Sequence, residues 1–71
     1  MFYQVIRIFF KNEIKSNSIE YFDNILQAQQ RFHNIIAADL ANNEITYQST
    51  YIIDSNGNII DKAIFDRHNE E

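Results

Sequence analysis

Residues Asp23 to Asn43, DNILQAQQRFHNIIAADLANN, form the longest periodic stretch in the chain, and their reading decides the fold. Apolar side chains fall at Ile25, Phe32, Ile36 and Leu40, with Ala28, Ile35 and Leu26 beside them. That is the three-to-four residue repeat of an amphipathic helix. Asp23 or Asn24 can cap the start, and Asn24 with Gln27 has the spacing of a loose capping box. No glycine or proline interrupts the run, and Asn42 and Asn43 suit its end. About 18 residues at 1.5 Å each predict a rod of roughly 27 Å. Its opposite side carries Gln27, Gln30, Arg31 and Asn34, then fades into Ala37, Ala38 and Ala41.

Strands flank this helix. FYQVIRIFF, Phe2 to Phe10, is dense in aromatic and β-branched residues, and both of its alternating sets are mostly apolar. A strand of that kind belongs in the middle of a sheet. Lys11 to Ser18 is polar and reads as a loop. Ile19 to Phe22 reads as a short strand, since a helix begun at Ser18 would reach about 37 Å and overhang the sheet. After the helix, Ile45 to Ile53 and Asn58 to Phe65 enclose DSNGN, a hairpin signal. A type I turn from Asp54 with Gly57 left-handed is favoured over a two-residue Asn56-Gly57 turn. That register places Tyr47, Tyr51 and Ile53 on one face with Ile59, Ala63 and Phe65.

The predicted fold is therefore α+β, an antiparallel four-stranded sheet with one helix across one face, in the order ββαββ. If the short strand fails, the order becomes βαββ. One domain spans residues 1–66, and 67–71 form a frayed polar tail.

Composition narrows the function. A 71-residue chain has a thin core, and with no cysteine it has no disulfide or thiolate metal site to reinforce it. No secretory leader pattern or long apolar run appears, so the expected location is cytoplasmic. A net charge of −4 disfavours unspecific nucleic-acid binding.

Catalytic signatures are missing. Gly57 is the sole glycine, which rules out a glycine-rich phosphate loop, and the serines have no nucleophile elbow. His33 and Asp39 are too far apart on one helix for an acid–base pair. His33 and His68 lack further ligands, and the Asp54 turn lacks the glutamate of a calcium loop. No catalytic residue, metal or cofactor is assigned, and the chain is expected not to be an enzyme. Asp39 lies near the apolar arc at the helix C-terminus, where negative charge opposes the helix dipole. A contact with Arg7 or Lys62, or with a partner's basic group, would account for it.

Geometry adds one expectation. Four strands about 4.8 Å apart make a platform roughly 15 Å wide, and a helix about 10 Å across covers only one side of it. The bare side is expected to carry Tyr3, Val5, Arg7 and Phe9, with Gln48, Thr50 and Ile52, and Ile60 and Lys62 nearby. A contiguous apolar face calls for a partner, and a homodimer is the simplest. A second surface is expected from Asp54, Asp61, Asp66, Glu70 and Glu71, an acidic patch suited to a basic groove on another protein. The sequence thus predicts a small acidic interaction module that occludes a partner. By analogy of type, products of phages and mobile elements block host nucleic-acid-handling or defence enzymes in this way. The alternative is a single-stranded nucleic-acid or small-ligand binder that uses an aromatic sheet face.

Overall fold

A computed structural model describes residues 1–67. Its elements follow the order ββαββ: β1 (Tyr3–Lys11), β2 (Ile14–Phe22), α1 (Ile25–Ala41), β3 (Ile45–Asp54) and β4 (Ile59–Asp66). The four strands form one antiparallel sheet in the order β2-β1-β3-β4. The aromatic strand β1 is central, with a hydrogen-bonded neighbour on each side.

The helix starts where its cap allows. Asn24 is extended, and its Oδ1 accepts from the backbone N–H of Leu26 at 2.7 Å and of Gln27 at 3.4 Å. Asn42 ends the helix, donating its N–H back to the Asp39 carbonyl at 3.3 Å. The buried stripe is Ala28, Phe32, Ile35 and Asp39, rotated from the expected Ile25, Phe32, Ile36 and Leu40. Ile25 and Ile36 flank the core, and Leu40 is exposed. Ala28 gives the helix a small residue for close approach, and Asp39 turns inward because Arg7 lies beneath it.

The segment from Lys11 to Ser18 is not a loop. Asn12 and Glu13 adopt φ of 53° and 67°, forming a tight turn with both residues left-handed. Strand β2 starts at Ile14 and absorbs the short Ile19–Phe22 strand. Its polar middle, Lys15 to Ser18, is tolerated because β2 is an edge strand.

The second hairpin turns as expected at its tip. Gly57 has φ of 86° and donates to the Asp54 carbonyl at 3.0 Å. Beyond the tip the register shifts: Ile53 faces Ile59, but Ile52 faces Asp61. Ile60 is the extra residue of a β-bulge, and an extra residue reverses the alternation that follows it. Ala63 and Phe65 consequently lie on the helix side, away from Tyr47 and Tyr51.

The largest correction concerns the covered face. Val5 pairs with Ile52, Arg7 with Thr50 and Phe9 with Gln48, and this is the face that α1 covers. Val5, Ile52, Ala28, Phe32 and Ile35 form the core, with Tyr3, Phe22, Ile25, Ile36 and Ala63 packed around it. Gln48 and Thr50 are fully buried. Tyr3, Val5, Arg7, Phe9, Gln48 and Thr50 therefore do not lie on the bare face. The middle of this face offers Val5, Thr50 and Ala63, all short side chains, so the helix can seat closely. The opposite face carries bulkier Ile, Phe and Tyr side chains.

Arg67, assigned to the tail on sequence, is anchored. Its N–H donates to the Thr46 carbonyl at 2.6 Å. Its guanidinium donates to the carbonyls of Leu40, Asn42 and Ile45 at 2.6, 2.9 and 3.2 Å. The helix has no basic residue in its own last turn, and Arg67 supplies the missing positive charge at the negative end of the dipole.

Candidate protein-docking face

On the covered side Arg7, Asp39, Gln48 and Thr50 are hydrogen-bonded to one another or to the backbone, while the buried Thr46 hydroxyl has no partner among the described residues. The Arg7 guanidinium forms a two-pronged pair with the Asp39 carboxylate: Nε donates to Oδ2 at 3.0 Å and Nη2 to Oδ1. Arg7 also stacks 3.8 Å over the Phe9 ring. Asp39 is 1% exposed, so the pair explains its inward position within the chain. The Thr50 hydroxyl donates to the Gln48 side-chain oxygen, and Gln48 Nε2 donates to the Ala63 carbonyl at 3.0 Å. These groups are committed to the fold and leave little for a ligand.

The other side is open. Directly paired residues share a face, so the strand registers lay out four rows from β2 to β4. At one end stand Tyr21, Gln4, Ile53 and Ile59. Next come Ile19, Ile6, Tyr51 and Lys62, then Asn17, Ile8, Ser49 and Ile64. The far row is Lys15, Phe10, Tyr47 and Asp66. Apolar and aromatic side chains dominate the middle, and the far row ends in opposite charges on its two edges. Ile19, Tyr21, Ile59 and Ile64 are each more than half exposed. A shallow depression of about 440 Å³ lies over the far row, lined by Ile8, Phe10, Lys15, Tyr47 and Asp66. Within it Phe10 and Tyr47 meet edge to face, their centroids 5.6 Å apart.

Of the residues expected on the bare face, Lys62 lies there, opposite Tyr51, and Ile60 is the bulge residue with no partner in the register. The expected acidic patch is not assembled among the described residues. Asp54 is occupied by its turn, where Oδ1 accepts from Asn56 N and Asn58 N, each at 2.9 Å. Those backbone donors, Asn58 first, hold its carboxyl below the ordinary value of 3.8. Asp61 lies on the helix side of β4 and Asp66 on the open side. Glu70, Glu71 and His68 lie outside the described residues. Residues missed on sequence are Ile6, Ile8, Phe10, Tyr47 and Tyr51. For Ile6, Ile8 and Phe10 the signal was the even-numbered set of β1, the greasier of its two alternating sets.

Among the described residues, no three His, Cys, Asp or Glu side chains group as a metal site, and no helix is long and apolar enough to cross a membrane. No protein-family model, curated protein or solved structure matches the chain.

Proposed function

We propose that this protein is a non-enzymatic protein–protein interaction module whose docking surface is the open sheet face. The observation that carries this is the contrast between the two sides of the sheet. One is closed by α1, with Arg7, Asp39, Gln48 and Thr50 hydrogen-bonded beneath it, while on the other, among the described residues, no element lies over Ile6, Ile8, Tyr47, Tyr51 and Ile64. Contiguous apolar area of that kind, ringed by Lys15, Lys62 and Asp66, has the make-up of a protein interface with an apolar centre and a polar rim. The consequence for a target is occlusion, and the net charge of −4 favours encounter with a basic partner. Inhibition of a nucleic-acid-handling or defence enzyme in the cytoplasm of a host, by a phage or mobile-element product, fits this chemistry.

The test compares two sets of variants in capture from lysate. Ile6→Glu and Ile64→Glu disturb the open face; Leu26→Glu and Arg31→Glu disturb the exposed side of the helix. A protein held by wild type and by the helix variants, and lost with both sheet variants, supports the proposal. Equal capture by all four overturns it.

A second possibility has its own observation in its favour, since Phe10, Tyr21, Tyr47 and Tyr51 share the open face and aromatic rings stack on bases. Among the described residues the face has only Lys15 and Lys62 as cations, which is little for a phosphate backbone. Saturable binding of a single-stranded oligonucleotide at low salt, abolished by Tyr47→Ala, would establish it in place of the protein partner.

A further inference from the structure

We infer that the outer edge of β2 pairs with the same edge of a second copy of this chain, antiparallel about a twofold axis through Ser18 and perpendicular to the sheet. The two sheets then run on as one. This goes beyond the docking face, because the contact lies in the plane of the sheet and not on either side of it.

The two edges of the sheet are built differently. β4 is interrupted by the bulge at Ile60, with Asp61 and Lys62 directly after it, and bulges and charges are the devices that keep an edge from pairing. β2 runs for nine residues in unbroken register with β1, with no bulge and no proline. Among the described residues no strand lies beyond it. A straight edge of that length is a template for a further strand.

The turn at Asn12 and Glu13 settles which groups face outward. A two-residue turn with both residues left-handed closes on a hydrogen-bonded pair, here Lys11 and Ile14. Bonding alternates from there, so Ile14, Ser16, Ser18, Glu20 and Phe22 bond to β1. The N–H and C=O groups of Lys15, Asn17, Ile19 and Tyr21 point away from the sheet.

Self-complementarity names the occupant. A twofold perpendicular to the sheet keeps each side chain on its own face, so the axis must pass through a residue. Ser18 is the midpoint of β2, and only an axis there pairs the whole strand, Ile14 to Phe22. Ser18 then faces its own copy in a pair without backbone bonds, where strands come within about 4.5 Å. A serine fits that approach, and its hydroxyl can bond across. Lys15 faces Tyr21 and Asn17 faces Ile19, each pair exchanging backbone bonds and each formed twice. The lysine stem lies along the tyrosine ring. On the helix side Ile14, 68% exposed, gains Phe22, and Glu20, held by Arg31, faces Ser16. No like charges are opposed. An axis through Asn17 would set Ile14 against Glu20 and leave Phe22 unpaired.

Three sets of variants test this. Asn17→Pro removes an outward N–H and spares the bonds to β1, so the chain should keep its circular dichroism while self-association in sedimentation weakens about tenfold or more. Tyr21→Lys opposes two lysines and should weaken association similarly, and adding Lys15→Glu to the same chain should restore it. Because the chain has no cysteine, Ser18→Cys provides a measurement independent of charge. On mild oxidation it should link to its own copy about tenfold faster than Asn17→Cys, or than Ser55→Cys in the far hairpin. The open-face variants Ile6→Glu and Ile64→Glu should dimerise as wild type does. A wild type that sediments as a monomer at about 100 μM, where micromolar interfaces are populated, overturns the second copy and leaves the docking face to the capture experiment. A dimer lost with both open-face variants, or kept by folded Asn17→Pro, overturns the edge. Faster linking of Asn17→Cys than of Ser18→Cys overturns the register.

Discussion

At the scale of single residues, the ion pair between Arg7 and Asp39 is the most consequential contact in the fold. Asp39 is buried at the negative end of α1, so its charge is tolerated because a guanidinium grips both oxygens. Removing the partner strands the carboxylate. Arg7→Met is expected to cost about 3–5 kcal/mol, most of the roughly 4–10 kcal/mol available to a domain of this size. The double variant Arg7→Met, Asp39→Leu should recover most of that loss in urea denaturation, since it removes both charges. Recovery no better than the single variant would show that the pair is not the source of the cost. Asp54 gives a second prediction, in pH. Its carboxyl is held below its ordinary value by turn amides, so the charged form stabilises the fold. That contribution is present above the ordinary value and is lost as pH falls through the lowered one. Asp54→Asn should flatten the dependence of stability on pH below about 4, the unfolded carboxylate value. A wild-type slope unchanged in the variant would contradict it.

Among the elements, the helix and the central strand were legible because each has a period or a composition that nothing else explains. Asn24 and Asn42 also bound α1 within two residues of the stretch singled out from Asp23 to Asn43. The first hairpin was not legible, and the reason is local. Its turn needs positive φ at two positions, and the residues there are Asn12 and Glu13, not the Asn-Gly pair that announces such turns. A left-handed glutamate costs about 1 kcal/mol, which the nine-residue pairing of β1 with β2 outweighs. Glu13→Gly should therefore raise stability by about 0.5–1 kcal/mol if relief of strain exceeds the loss of the glutamate's own contacts. A lower melting temperature would show that those contacts dominate. The bulge at Ile60 was hidden for a related reason. One inserted residue leaves composition untouched while exchanging the faces of all that follows, so Ala63 and Phe65 change sides without any mark in the sequence.

For the whole molecule, counting surfaces was sound and choosing between them was not. One helix against four strands leaves one face bare, and that is what the fold contains. Hydrophobicity pointed to the wrong side because the covered face is the more polar one. Arg7, Gln48 and Thr50 are there, made acceptable by Asp39 and by one another, in pairings that only three-dimensional neighbours reveal. A fold that spends its helix on the more polar side and, among the described residues, sets no element over Ile6, Ile8 and Tyr51 should separate stability from association. Ile52, buried under the helix, is expected to lose about 2–5 kcal/mol on substitution by alanine, the range for a cavity in a core. Ile64, more than half exposed on the open face, should change the stability of the isolated chain by no more than about 0.5 kcal/mol on substitution by serine. In denaturation at low concentration the two variants should differ severalfold in cost. In the capture experiment Ile64→Ser should lose the partner held by wild type while remaining folded. If Ile64→Ser instead unfolds the chain at low concentration, the open face belongs to the core of the monomer and is not a surface kept for a partner.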